Sequence, residues 1–103
     1  MDKKSQTKLH AAGWRLGDAQ DFLQLTDQEL MLLLIKESLS QAVRTIRTRL
    51  KLTQTVLAKR MHSSQARVAR IEGADASVTA DLMLQALIAT GANRKEISKA
   101  LQL

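Results

Sequence analysis

Gln65, Arg67 and Arg70 are side chains that can recognise a planar partner through paired hydrogen bonds. A glutamine amide donates and accepts at once, which matches the edge of an adenine, and an arginine guanidinium donates two parallel bonds, which matches a guanine. Ala66 lies in the same short stretch. This pattern indicates recognition rather than bond breaking. The candidate base-contacting residues are Gln65, Ala66, Arg67 and Arg70.

A second set of polar side chains lies near predicted helix beginnings, where backbone N–H groups and the helix dipole favour a phosphate. Gln54, Thr55 and Ser64 hold these positions, and Lys59 adds a positive charge on the helix that begins at Gln54. Lys59 and its neighbour Arg60 are equally well explained as residues that keep a surface solvated. The candidate phosphate contacts are Gln54, Thr55, Lys59 and Ser64.

Positive charge is concentrated in one part of the chain. Between Lys36 and Glu72 there are nine basic and two acidic residues, whereas the remainder has seven basic and eight acidic residues. The net charge of +6 therefore arises in this segment, and a polyanion such as double-stranded DNA is its natural partner. Three of its arginines are expected to form a hydrated helix face: Arg44, Arg47 and Arg49. As alternatives, Arg47 or Lys51 approaches a phosphate, and Arg70 pairs with Glu72 or another acid.

The sequence offers little that supports catalysis or holds a cofactor. It has no cysteine and only two histidines, His10 and His62, so thiolate and zinc sites are not expected. There is no nucleophile elbow, no glycine-rich phosphate loop and no carboxylate pair beside a histidine. Ser63 and Ser64 adjoin His62, but Ser64 is better explained as a helix cap and His62 as a turn residue. We therefore expect neither an enzyme nor a bound cofactor.

Helices have to position these side chains. The chain has no proline, one tryptophan, one phenylalanine and many strong helix formers, which predicts an all-α fold. Thr26 and Glu29 form a capping-box pattern, and no helix breaker follows as far as Lys51. One long helix is therefore predicted here, with a break near Ser38 or Ser40 as the alternative.

The run from Leu30 to Ile35 is apolar on every side of the predicted long helix. Such a helix has to be buried on more than one side, so the run belongs in the core or in a subunit interface. The run is far too short to cross a membrane, and we expect no membrane association. Polar residues follow Lys3 and Lys4 where a secretory signal would have an apolar core, which favours a cytoplasmic protein.

Two short helices separated by a turn of about three residues are predicted in the centre of the chain. Thr53 caps the first helix, over 54–61, and Ser64 caps the second. Ala58 is predicted to lie where the two helices cross, because only a small side chain lets their backbones approach. The expected inward-facing residues are Val56, Leu57, Met61, Val68 and Ile71. Gly73 is predicted to end the second helix in the left-handed conformation.

Two further helices are predicted towards the end of the chain. Thr79, or alternatively Ser77, caps a helix that continues through Thr90 and ends at Gly91. Asn93 and the glutamate three residues later form another cap pattern, which begins a last short helix.

The chain is predicted to divide into an N-terminal extension, 1–25, and a helical domain, 26–103, which contains the two-helix motif at 53–73. In the extension, Asp18 is expected to cap a short helix through Leu23 that buries Phe22 and Leu23. Trp14 is expected to anchor the core, with contact to a protein partner as the alternative.

The stretch from Leu52 to Glu72 resembles the helix-turn-helix of the XRE (Cro/CI-type) repressor family. The family pattern, L-T-Q-x-x-L-A, a turn and S-Q-x-x-V-x-x-I-E, is matched at Leu52, Thr53, Gln54, Leu57, Ala58, Ser64, Gln65, Val68, Ile71 and Glu72. The chain departs from it in the turn, where His62 replaces the usual glycine and Ser63 replaces an aliphatic residue.

This resemblance implies a five-helix lambda-repressor-like domain, here with an N-terminal extension and a long first helix. It also implies that Gln54 bonds a phosphate or a neighbouring glutamine, and that Gln65 and the two residues after it contact base edges.

The N-terminal part, from Gly17 into the long helix, resembles that of compact HigA-type antitoxins. In those proteins a helix-turn-helix chain binds a ribonuclease toxin of the RelE/HigB kind and represses its own operon. The resemblance implies a homodimeric repressor on a palindromic operator within a type II toxin–antitoxin system. Two alternatives stay open: a protein-interaction module that neutralises a toxin without binding DNA, and a phage-type repressor or restriction–modification controller.

Overall fold

The computed structural model describes residues 23–101, and this part of the chain is helical, with no strand. Five helices lie wholly within it: α1 (Asp27–Arg49), α2 (Gln54–Arg60), α3 (Gln65–Glu72), α4 (Ala80–Ala89) and α5 (Arg94–Leu101). The all-α prediction is confirmed for these residues. The predictions for Asp18, Trp14 and Phe22 lie outside the described residues. Leu23, predicted to be buried, is instead 38% exposed.

α1 begins at the predicted capping box and runs without a break. The Thr26 hydroxyl accepts a hydrogen bond from the Glu29 N–H, and the Glu29 carboxylate accepts one from the Thr26 N–H, each at 3.1 Å. Ser40 stays helical, with its hydroxyl donating to the carbonyl of Glu37 at 2.9 Å. The alternative of a break near Ser38 or Ser40 is therefore wrong, since the serine hydroxyl is satisfied within the helix.

Serine and threonine hydroxyls begin the next three helices, as the sequence predicts. Thr53, Ser64 and Thr79 accept hydrogen bonds from the N–H groups of Val56, Arg67 and Leu82, respectively. Each cap satisfies one N–H group that has no partner within its helix. Gly91, which the sequence predicts to end the helix, follows α4 with φ of 89°, in the left-handed region. At α5, Asn93 and Glu96 exchange hydrogen bonds in the same way as Thr26 and Glu29.

The core forms where the second half of α1 packs against α3, α4 and α5. Its fully buried large apolar side chains are Val43, Ile46, Leu57, Val68, Ile71, Met83 and Leu87. Each contributes about 1.5–3 kcal/mol relative to an exposed position. Ala58 is 2% exposed and lets α2 approach α3 closely. Val56, predicted to face inward, is 39% exposed, because the short helix α2 turns only Leu57 and Ala58 fully into the core.

Two turns beside α3 place non-glycine residues in the left-handed region. His62, between α2 and α3, has φ of 53°, at the position where the resembled pattern has glycine. After α3 the prediction is wrong by one residue: Gly73 has φ of −87°, and Ala74 has φ of 52°. Ala74 is 5% exposed. Burial of its methyl group offsets the roughly 1 kcal/mol cost of that conformation.

Candidate nucleic-acid interface

α3 separates a buried face from an exposed one. Val68 and Ile71 are fully buried. The candidate base-contacting residues are all exposed: Gln65, Ala66, Arg67 and Arg70. The helix therefore presents these side chains together at the protein surface, beginning at its N-terminal end.

The amide of Gln65 is held by a side chain of the neighbouring helix. Its Nε2 donates a hydrogen bond to Oε1 of Gln54 at 2.6 Å, which is one of the two roles that the resemblance implied for Gln54. Because Nε2 carries two hydrogens, one N–H and the Oε1 of Gln65 can still bond outward. Gln65 thus presents a donor and an acceptor side by side, the pair that an adenine edge requires.

Gln54 is in turn anchored by a buried ion pair. Its Nε2 donates to Oε1 of Glu72 at 3.2 Å, and Glu72 is 3% exposed. Arg47 donates to both carboxylate oxygens of Glu72 and, through Nη1, to the carbonyl of Leu52 at 2.7 Å. The hydrogen bond to Glu72 raises the pKa of Arg47 above its ordinary value. We call the chain of contacts Arg47–Glu72–Gln54–Gln65 the anchoring network; it links α1, α2 and α3.

This network corrects two expectations about arginines. Arg47 is neither part of a hydrated face nor available to a phosphate, since its side chain is 16% exposed and paired with Glu72. Arg70 does not pair with Glu72, which turns inward, but it lies near Asp75. The pKa of Asp75 is lowered first by hydrogen bonds from the hydroxyl and N–H of Ser77, and further by the charge of Arg70.

Sequence reasoning missed the anchoring role of Glu72, although a signal for it exists. Glu72 follows the buried Val68 by one helical turn, so the 3.6-residue period points it towards the core. Its partner has no such signal, because Arg47 is separated from Glu72 by 25 positions and by two turns.

The candidate phosphate-contacting residues lie beside α3. Thr55, Lys59 and Ser64 are exposed, and Gln54 is half-buried. Thr55 and Lys59 are four residues apart on α2, so they share one face of that helix. The Ser64 hydroxyl already accepts the cap hydrogen bond, but it can still donate its own hydrogen to a phosphate oxygen.

Two other basic residues stabilise the fold. Arg60 donates from Nη1 to the carbonyls of Ala89 and Thr90 at 3.3 and 2.9 Å, and so closes the C-terminal end of α4. This contact within the protein differs from both roles that the sequence suggests for Arg60, which are contact with the DNA backbone and solvation of the surface. Arg49, expected on a hydrated face, is 49% exposed there and pairs with Glu96 on α5 at 3.1 Å.

Residues 23–101 offer neither a metal-binding cluster nor a helix that could span a membrane. In this range no group of histidine, cysteine, aspartate and glutamate side chains is placed to hold a metal ion. None of the helices described combines the length and the apolar character needed to span a membrane. Comparisons with protein-family models, with curated proteins and with solved structures found no match to this chain.

Proposed function

We propose that the chain is a sequence-specific DNA-binding protein of the helix-turn-helix type, with α2 and α3 as the two helices of the motif. The single observation that carries the proposal is the Gln54–Gln65 hydrogen bond at the exposed beginning of α3, beside Arg67. An amide held in one orientation can discriminate between hydrogen-bonding edges. The proposal includes a lambda-repressor-like arrangement of the five helices, with α3 as the reading helix.

In this mechanism α3 enters the major groove, which is about 12 Å wide and admits an α-helix. Gln65 accepts a hydrogen bond from N6 of an adenine and donates one to N7, while Gln54 occupies its remaining N–H. Arg67 and Arg70 donate to O6 and N7 of guanines. Ala66 has only a methyl group, which contacts the methyl of a thymine and lets the helix approach the bases.

Contacts to the DNA backbone position α3 in the groove. Thr55 and Lys59 on α2, with Gln54 and Ser64 at the helix beginnings, bond phosphate oxygens. Such contacts set the register of the protein without reading the sequence.

The biological role that fits this mechanism is transcriptional repression by a homodimer. Two copies related by a two-fold axis place their α3 helices in successive major grooves, about 34 Å apart, and read a palindromic operator. Within this role, an antitoxin that autoregulates its operon and binds a RelE/HigB-like toxin is our preferred setting. A phage-type repressor or a restriction–modification controller shares the DNA mechanism and is distinguished by the neighbouring genes.

A second candidate function, a toxin-binding module without DNA binding, is favoured by one observation: Met31 and Leu32 are 59% and 54% exposed. This surface fits an apolar partner. The two functions are separated by purifying the chain with the product of its adjacent reading frame and then adding operator DNA. Co-purification combined with no DNA binding supports the module alone.

The test of the DNA proposal is selection of binding sites from a random pool of duplexes, followed by affinity measurements. The double variant Gln65→Ala, Arg67→Ala should lose about 1–3 kcal/mol of base discrimination per lost contact. The matched control is Gln85→Ala, Arg94→Ala, which removes the same residue types from exposed positions on α4 and α5. If the α3 variant selects the same sites with unchanged affinity, α3 is not the reading helix.

A further inference from the structure

The apolar stripe by which α1 packs into the core continues beyond the core. Leu32, Leu39 and Ile46 are spaced at intervals of seven and so share one face of α1, and Leu25 precedes them at the same interval. Ile46 is 0% and Leu39 is 3% exposed, whereas Leu32 on the same face is 54% exposed. No residue of α1 before Leu39 is buried. The first half of α1 therefore carries a core-type stripe that residues 23–101 cover only in part and leave most exposed at Leu32.

A groove runs along this uncovered part of α1. Its volume is about 190 Å³, and its lining combines the apolar Leu25, Leu32, Leu33, Ala74 and Ala76 with three charged residues, Glu29, Lys36 and Glu37. Ala74 belongs to the connection between α3 and α4, so the groove lies between α1 and the end of α3. We call it the α1 groove. An apolar floor with opposite charges at separate positions is typical of an interaction surface.

We propose that the α1 groove binds a second copy of the chain, with the two α1 helices antiparallel. In a two-fold pair centred between Leu32 and Leu33, each Leu32 faces the partner's Leu33. Glu29 and Lys36 are equally distant from that centre, so each Glu29 lies opposite the partner's Lys36, and the attraction occurs twice. A parallel pair would bring like charges together at both positions. The third charged residue, Glu37, then lies opposite Gln28 of the second copy, so no two acids directly face one another, and the charge pattern of the groove favours an antiparallel copy of itself.

Both charged groups are able to make this contact. The Glu29 carboxylate accepts one hydrogen bond from the Thr26 N–H, and its oxygens have capacity for more. Lys36 is half-buried, and its long stem can cover apolar surface while its ammonium group extends outward. Lys36 also favours the charged form of Asp75, whose pKa is lowered chiefly by Ser77.

The expected size of the contact indicates a weak dimer. Two faces of about three helical turns bury on the order of 1,000 Å² in total, at the low end for specific interfaces. We therefore expect a dimer dissociation constant in the micromolar range. This pairing would supply the dimer that the proposed operator binding requires. It rests on that function only for its biological purpose, because dimerisation is measured without DNA.

The first test is sedimentation equilibrium of the full chain. Leu32→Glu introduces two carboxylates into the apolar floor and should raise the dimer dissociation constant at least tenfold. Ile88→Glu is the matched control, since Ile88 on α4 is 68% exposed. It should leave the constant within about twofold. Circular dichroism should show unchanged helix content in both variants.

The second test exchanges the charges. Glu29→Lys alone and Lys36→Glu alone each place like charges opposite one another and should weaken the dimer, whereas the two together should restore it to within about threefold of the original. Rescue by the double exchange cannot arise from a lost helix cap, because the double variant lacks the Glu29 cap as well.

Three results would each overturn the inference. The first is that the chain stays monomeric at about 100 µM; the groove would then be left to residues 1–22 or to a different protein. The second is that Ile88→Glu dissociates the dimer while Leu32→Glu does not. The third is that the double charge exchange fails to restore dimerisation. Failure of the proposed function can be told apart from failure of this inference. The Gln65→Ala, Arg67→Ala variant should remain dimeric whatever its effect on DNA binding.

Discussion

Glu72 connects the surface of α3 to the interior of the protein. It accepts hydrogen bonds from Arg47 and Gln54, and Gln54 in turn holds the exposed amide of Gln65. At the residue scale, the group proposed to read a base therefore depends on a carboxylate that is itself 3% exposed. A buried charge that loses its partner stays dehydrated without compensation, so each member of such a pair is costly to remove.

We predict that Glu72→Gln lowers the free energy of unfolding by about 3 kcal/mol, because Arg47 loses its counter-charge at a largely buried position. Urea unfolding followed by circular dichroism measures this change. Glu96→Gln is the control: it retains an oxygen for the Asn93 N–H but loses the exposed ion pair with Arg49. That control should cost under about 1 kcal/mol. Equal effects of the two substitutions would contradict the assigned role of Glu72.

The residue-scale predictions from sequence succeeded where the interaction is local. Thr53 and Ser64 cap their helices through contacts three residues away. The same sequence led to a wrong environment for Arg47, because its partner lies 25 positions away. Only the packing of α1 against α3 brings these two side chains together.

Among the secondary-structure elements, the turns on either side of α3 matter most for the placement of this helix. These turns set the direction in which α3 leaves the body, and both contain a residue in the left-handed region, His62 and Ala74. His62 is exposed, so its side chain gains no core packing in return. Ala74, by contrast, is buried, and it is this residue rather than the adjacent Gly73 that has positive φ after α3.

We predict that His62→Gly raises the free energy of unfolding by about 0.5 kcal/mol. The substitution removes roughly 1 kcal/mol of left-handed strain, and the greater freedom of glycine in the unfolded chain offsets part of that gain. Thermal unfolding measures the difference. Ser63→Gly is the neighbouring control, since Ser63 does not have positive φ, and it should be destabilising by about 0.5–1 kcal/mol. If both glycines destabilise the protein, the turn does not store the strain that we infer.

In the molecule as a whole, the basic segment and the exposed apolar part of α1 contribute to separate surfaces. The basic segment from Lys36 to Glu72 contributes α2 and α3, where the polar side chains of the proposed interface are exposed. Part of that positive charge is used internally, by Arg47 and Arg60. The exposed Met31 and Leu32 of α1 belong to a different surface, and the dimer that we infer there would bring two copies of the proposed interface together.

We predict that Lys59→Ala reduces the salt dependence of DNA binding, because each phosphate-contacting cation releases about one counterion. In a dimer two cations are lost, so the slope of log K against log salt should become shallower by about 2. Titrations between low and moderate salt measure this slope. Lys99→Ala on α5 removes an equal charge and should leave it unchanged. Equal slopes for the two variants would place Lys59 outside the interface.

Features that depend on neighbours along the chain follow from the amino-acid sequence alone. The capping box of Thr26, the caps of α2, α3 and α4, and the buried stripe of Val68 and Ile71 all involve residues within one helical turn. Three other features depend on how the helices pack: the Arg47–Glu72 pair, the exposure of Val56 and the exposure of Leu32. The reason is physical, because a periodic pattern shows which face of a helix is apolar, whereas only the packed neighbours decide how much of that face is covered.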